Sequence, residues 1–176
     1  MGFMNIKLVL LGSIALLLSA CVPSTVRVSG GVSTGDVVIR ERSNNYISSF
    51  TPTGGEGATF YVGETVGFRL TTTRPGYVTL VSLDPDGYSN VIERNVPVRA
   101  GVTFFPNNTK TYTLTPPRGI QRVRAIFTSI DQRSYNSFNL GGRYDSRTGW
   151  DNQITVYVNR YDVPSRDVNE TFFFIR

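Results

Sequence analysis

Short runs of β-branched and aromatic residues, each closed by glycine, proline, asparagine or aspartate, follow one another along this 176-residue chain. Residues 65–71 carry the pattern most clearly. Val66, Phe68 and Leu70 fall on one side, and Thr65, Arg69 and Thr71 on the other. A period of two marks a strand with one buried face. Residues 77–83 are apolar on both sides, which predicts a central strand. Asp84-Pro85-Asp86-Gly87 has tight-turn chemistry and predicts a hairpin into residues 88–92. Further strands are predicted at 37–41, 59–62, 102–105, 110–115, 120–130, 153–159 and 171–175, and Val26 with Val28 offers an edge strand. In the 153–159 run, Ile154, Val156 and Val158 are predicted to point inward. Segments of this length and punctuation predict an all-β fold, an antiparallel β-sandwich of about 7–9 strands. No amphipathic helix is predicted beyond residue 21.

The N-terminus follows a different logic. Lys7 precedes an apolar stretch, residues 8–18, that ends in Leu18-Ser19-Ala20-Cys21. A basic start, a short apolar segment and small residues before a cut compose a secretory signal. With cysteine directly after the small residues, the segment resembles the lipobox of bacterial lipoproteins. That resemblance implies cleavage before Cys21, with lipid on its sulfur and its new amino group. A spanning helix needs about 20 apolar residues, and residues 6–22 reach only that lower limit before Pro23-Ser24. Two or three acyl chains anchor a protein firmly, at about 0.8 kcal/mol per buried methylene. Val22, rather than aspartate, after the cysteine favours the outer membrane. The expected organisation is a signal peptide at 1–20, a lipidated N-terminus and Ser/Gly-rich tether at 21–35, and a sandwich domain at 36–176. About 150 residues bury a full core without disulfides.

The chemistry the chain lacks is as informative. It has no histidine, which removes the usual general base and metal ligand. Its one cysteine is expected to carry lipid, so thiol catalysis and Cys/His zinc sites fall away. Phosphate-loop and dinucleotide patterns are absent. Asp84 and Asp86 form a weak metal candidate, with Asn90 as a further ligand. Glycine directly after the second aspartate fails the EF-hand spacing, and turn chemistry accounts for the same residues. Glu64 is expected to pair with Arg69 or Arg74. The formal charge is +5, and apart from Lys7 and Lys110 the basic residues are scattered arginines. That distribution suits acidic proteins, glycans or lipid head groups, whereas export argues against nucleic acid. Neither a catalytic residue nor a cofactor is predicted.

Residues 131–152 break the strand rhythm. They interleave Tyr135, Phe138, Tyr144 and Trp150 with Arg133, Arg143 and Arg147. Long connections of this kind tend to be functional, and aromatics with arginine are hot-spot composition. Tyr135, Phe138, Arg143, Tyr144, Arg147 and Trp150 are therefore candidate contacts for a partner or a glycan. The competing reading has Tyr144 and Trp150 capping the sandwich and burying local apolar surface.

Several landmarks align between residues 60 and 130. Tyr61-Val62-Gly63-Glu64-Thr65-Val66 leads to Phe68 and Leu70. Then come Gly76-Tyr77-Val78, Leu80, Asp84-Pro85-Asp86-Gly87, Ala100-Gly101, Phe105-Pro106, and Pro117-Arg118-Gly119 before Val123 and Ala125. In this order they resemble the bacterial domain of unknown function 4384. The resemblance implies an immunoglobulin-like β-sandwich in envelope proteins and carries no catalytic residues. Arg94 stands where that family usually has proline, ahead of Asn95. Phe68, Leu80 and Phe127 are expected to fill the space between sheets.

The functional expectation is a lipid-anchored, non-enzymatic envelope module that binds another envelope protein through a loop end or a sheet edge. The first alternative is a binder of glycan or anionic polymer, with Tyr144 and Trp150 stacking on sugar and Arg143 and Arg147 meeting charge. The second is a metal-assisted hydrolase using Asp84 and Asp86.

Overall fold

The computed structural model describes residues 44–131, 133 and 137–176. The signal-like segment, Cys21, the tether, the predicted strands at 26–28 and 37–41, and Tyr135 lie outside the described residues.

Two sheets face each other. The smaller has the order β1 (Ile47–Pro52), β4 (Phe68–Thr72), β7 (Gly101–Phe105). The larger runs β10 (Gly142–Arg143), β6 (Tyr88–Val98), β5 (Gly76–Leu83), β9 (Gly119–Thr128), β11 (Arg166–Ile175), β2 (Thr59–Phe60). A two-stranded ladder, β3 (Thr65–Val66) with β8 (Tyr112–Thr113), is separate from both. Every pairing is antiparallel except β2 with β11. Among the described residues seven strands have five or more residues, so the fold is the expected all-β sandwich.

The alternation seen in the sequence decides what fills the sandwich. Val66, Phe68 and Leu70 turn inward and meet Val78, Leu80, Val123, Ala125, Phe127 and Phe173 from the large sheet. Phe68 sits 5.5 Å from Phe50 and 6.2 Å from Phe173, ring centre to ring centre. The hairpin at residues 84–87 forms as expected. The Asp84 amide donates to the Tyr88 carbonyl at 2.7 Å, and Gly87 takes a φ of 85°. Gly76 is required by packing, because a Cβ there would stand 2.4 Å from the Phe127 ring. Strand β1 lies in a Ser/Thr-rich stretch where Ile47, Phe50 and Pro52 alone are buried, so its alternation is faint.

Two linked expectations are overturned, the strand at 153–159 and the absence of a helix beyond residue 21. Residues 153–158 belong to helix α1 (Arg147–Val158), and Asn159 is its C-cap. Ile154, Val156 and Val158 fit period two, yet Trp150, Ile154, Tyr157, Val158 and Tyr161 also recur at helical spacing. Tertiary demand settles the ambiguity. The central strands of the large sheet are apolar on both faces, and Val81, Leu83 and Ile126 need a cover. The helical stripe supplies it, whereas Val156 is left 53 % exposed. Ser146 caps the helix, its hydroxyl accepting from the Gly149 amide at 3.2 Å.

A buried carboxylate fastens the segment that crosses between sheets. Glu93 is 7 % exposed and accepts from the Tyr112 hydroxyl at 2.9 Å, with the Lys110 ammonium 3.7 Å away. Burial and the Glu93 carboxylate both push the Tyr112 phenol well above its ordinary range.

Two predictions follow from these contacts. Ile154→Ala costs about 2–5 kcal/mol, while Val156→Ala stays within about 0.5 kcal/mol; urea titration of both variants separates the helical face from the strand face. Tyr112→Phe costs about 1–3 kcal/mol by stranding the Glu93 acceptor. The raised phenol pKa means that the folded state keeps a proton that the unfolded state releases above about pH 10, so stability falls as pH rises through that point. Alkaline melts should show a shallower decline for Tyr112→Phe than for wild type.

Candidate functional site

The predicted contact segment is spent largely on the fold. Trp150 has no exposed surface; its indole N–H donates to the Ser89 hydroxyl at 3.0 Å. The Arg124 guanidinium lies 4.3 Å above its ring, so Trp150 is sandwiched against the outer face of the large sheet. Stacking of Trp150 on a sugar is thereby corrected, because the large sheet needs its ring as cover. Phe138 is held between the Tyr157 ring at 5.4 Å and the Arg160 guanidinium at 4.4 Å, and its carbonyl accepts from Arg94 at 3.1 Å. Tyr144 is half-buried, its hydroxyl raised by desolvation, and its amide donates to the Gly87 carbonyl at 2.9 Å. Arg143 is exposed in β10, paired with Tyr88. Gly87 admits no side chain here, since a Cβ would meet the Tyr144 carbonyl oxygen at 2.5 Å.

Arg147 belongs to an ion network on the same sheet face. Glu170 accepts from Arg122 at 3.2 Å, from Arg124 at 2.7 Å and from Arg147 at 2.9 Å, while Asp151 bonds Arg124. Three guanidiniums therefore share two carboxylates, all of them partly withdrawn from solvent. The network ties the start of α1 to β9 and β11.

A cleft of about 650 Å³ opens beside it, lined among others by Asp84, Asp86, Arg118, Ile120, Arg122 and Arg147. The hairpin aspartates and the N-terminal turn of α1, distant in sequence, meet at this cleft. Their hydrogen bonds run to the turn and to the strands beside it. Asp84 accepts from Gln121 at 2.6 Å and from the Asn90 amide at 3.2 Å, and burial raises its pKa. Asn90 thus turns a donor, not an oxygen, toward Asp84. Asp86 accepts from the Tyr88 amide at 3.2 Å. Among the described residues no three metal-ligating side chains gather in one group. Glu64 accepts from the Tyr61 amide at 2.8 Å within its own turn, and Arg74 lies 4.9 Å over the Tyr46 ring; the described contacts of these two are not the expected pair.

What the segment leaves unspent lies elsewhere. Among the described residues strand β7 ends the small sheet, and its ladder runs to β4. Phe105 and Thr103 face Phe68 and Leu70 on the inner side, while Val102 and Phe104 point outward, 47 % and 64 % exposed. Val102 stands opposite Thr71 and Phe104 opposite Arg69. Neither Pro nor a charged residue interrupts residues 101–105, the devices that usually protect an edge. Sequence reading placed this strand but had no signal for its place at the sheet's end, which is a property of topology.

Residues 59–130 match the family described as Domain of unknown function (DUF4384). The match runs from β2 through β9 and includes the β7 edge; β1, the 131–152 segment, α1 and β11 lie outside it. No curated protein and no solved structure matches the chain.

Removing the Glu170 carboxylate would take from three guanidiniums the acceptor they share. Glu170→Ala is expected to cost about 3 kcal/mol, the scale of breaking a buried pair. Chemical denaturation that finds no loss would reassign these arginines to solvent-facing roles.

Proposed function

We propose that this chain is a lipid-anchored, non-enzymatic envelope module that works by binding protein, with strand β7 as the docking edge. The single observation that carries the reading is that β7 is an edge among the described residues, with Val102 and Phe104 exposed. An incoming extended segment would extend the ladder with main-chain hydrogen bonds and set its alternate side chains on these two residues. The anchor rests on the lipobox-like run ending at Cys21, with the outer membrane favoured by Val22. The non-enzymatic part rests on the absence of histidine and on the inward engagement of Arg147, Trp150 and Asp84. The same inward engagement favours a protein partner over a glycan held by the 131–152 segment.

A photo-crosslinking residue placed at position 104 of the membrane-bound full chain tests this, with position 156, also more than half exposed, as the control. Adducts to protein at 104 and few at 156 are expected. Equal labelling, or none at 104, would remove the docking edge. Mass spectrometry of the same preparation should find a mature species beginning at an acylated Cys21.

A further inference from the structure

We infer that the occupant of the β7 edge is a second copy of this chain, paired antiparallel about a two-fold axis through Thr103. The inference rests on the docking-edge reading and adds the identity of the partner.

Register carries the argument. Closed two-fold contacts join a patch to itself, so residue i meets j and j meets i. An axis through Thr103 pairs all of β7, Gly101 through Phe105, with its copy. Val102 of one chain then lies opposite Phe104 of the other, twice, on the outer face. These are the two apolar side chains the strand exposes, and directly opposed aromatic and β-branched residues are a favourable cross-strand pair. Thr103 meets Thr103 on the inner face, which is also a favourable pair. Shifting the axis to Val102 leaves Phe104 opposite Ala100, and shifting it to Phe104 leaves Val102 opposite Pro106; either shift shortens the paired ladder to three residues of β7.

Charge does not oppose this register. Beyond the strand, Arg99 falls opposite Asn107 of the copy rather than opposite another arginine. Arg69 neighbours Phe104 on β4. In the joined sheet the two Arg69 positions are separated by three strand spacings, about 14 Å. That exceeds the screening length of about 8 Å at physiological salt. The small sheets of two copies become one continuous sheet with the order β1-β4-β7-β7-β4-β1, and β7 ceases to be an edge.

The contact is small, so a membrane anchor matters to it. Tethering two modules raises their effective concentration to about the millimolar range without any new contact.

The test uses the lipidated full chain, purified in detergent, with mass measured by light scattering. Wild type is expected as a dimer. Phe104→Arg sets a charge opposite Val102 and should weaken association at least tenfold. The double change Val102→Glu with Phe104→Arg places Glu opposite Arg at both positions and should restore the dimer. A double variant that stays monomeric would overturn the register and the proposal with it, and so would a dimeric Phe104→Arg. Both side chains point to solvent, and circular dichroism checks that the variants fold. As an independent measurement, Thr103→Cys in native membranes should form an intermolecular disulfide on mild oxidation, absent from wild type. If position 104 crosslinks only to other proteins, the docking edge stands and self-pairing falls; if it crosslinks to nothing, both fall.

Discussion

The large sheet is apolar on both faces, and most of the molecule is arranged around that fact. Val78, Leu80, Ala125 and Phe127 belong to the core between sheets, while Val81, Leu83 and Ile126 emerge on the opposite side. A sheet buried on two faces needs two covers. The small sheet is one. Helix α1, with Leu140 and Tyr161, is the other. Burying a side chain the size of Val or Leu contributes about 1.5–3 kcal/mol, so uncovered Val81, Leu83 and Ile126 would cost several kcal/mol and invite association. Phe138, Leu140, Tyr144 and Trp150 pack on that face, and α1 starts there.

This requirement explains why composition alone misleads about function. Tyr144, Trp150 and Arg147 look like a binding loop, since aromatics and arginine are what interfaces use. A helix docked on a sheet uses the same residues for the same reason: large apolar area with a polar handle. Trp150 spends its N–H on Ser89, and Arg124 bridges the Trp150 ring to Glu170 and Asp151. Ring and charge are both satisfied inside the molecule, so little of that chemistry faces outward.

Legibility followed the kind of information each feature needs. The strands at 68–72, 76–83 and 119–128 were readable because alternation and turn residues are local. Phe68, Leu80 and Phe127 were readable as core for the same reason. The helix was not, because Ile154, Val156 and Val158 satisfy a strand period while Trp150, Ile154, Tyr157 and Val158 satisfy a helical one. β-branched residues tilt a local reading toward strand, and only the uncovered face of a sheet built from distant residues decides otherwise. The doubly apolar run at 76–83 did contain the clue, since a strand buried on both sides implies a layer on each. The β7 edge was illegible in another way: sheet order is set by pairings that no single strand encodes.

An edge strand is a hazard in a freely diffusing protein, because its unpaired groups accept any extended chain. Charge, proline or a bulge would blunt it at small cost to the sandwich, and β7 has neither of the first two between Gly101 and Phe105. Its outward residues contribute nothing to the core, as Phe68 and Leu70 already pack against Phe105 and Thr103 from the inner side. Burial inside the domain therefore gives no reason for Val102 and Phe104 to be apolar. Association does give one. The proposed lipid tether would confine such a module to two dimensions and so add to what a short ladder and two apolar pairs supply. The same confinement would limit which strands can reach the edge, so the proposed anchor and the β7 edge fit together as parts of one device.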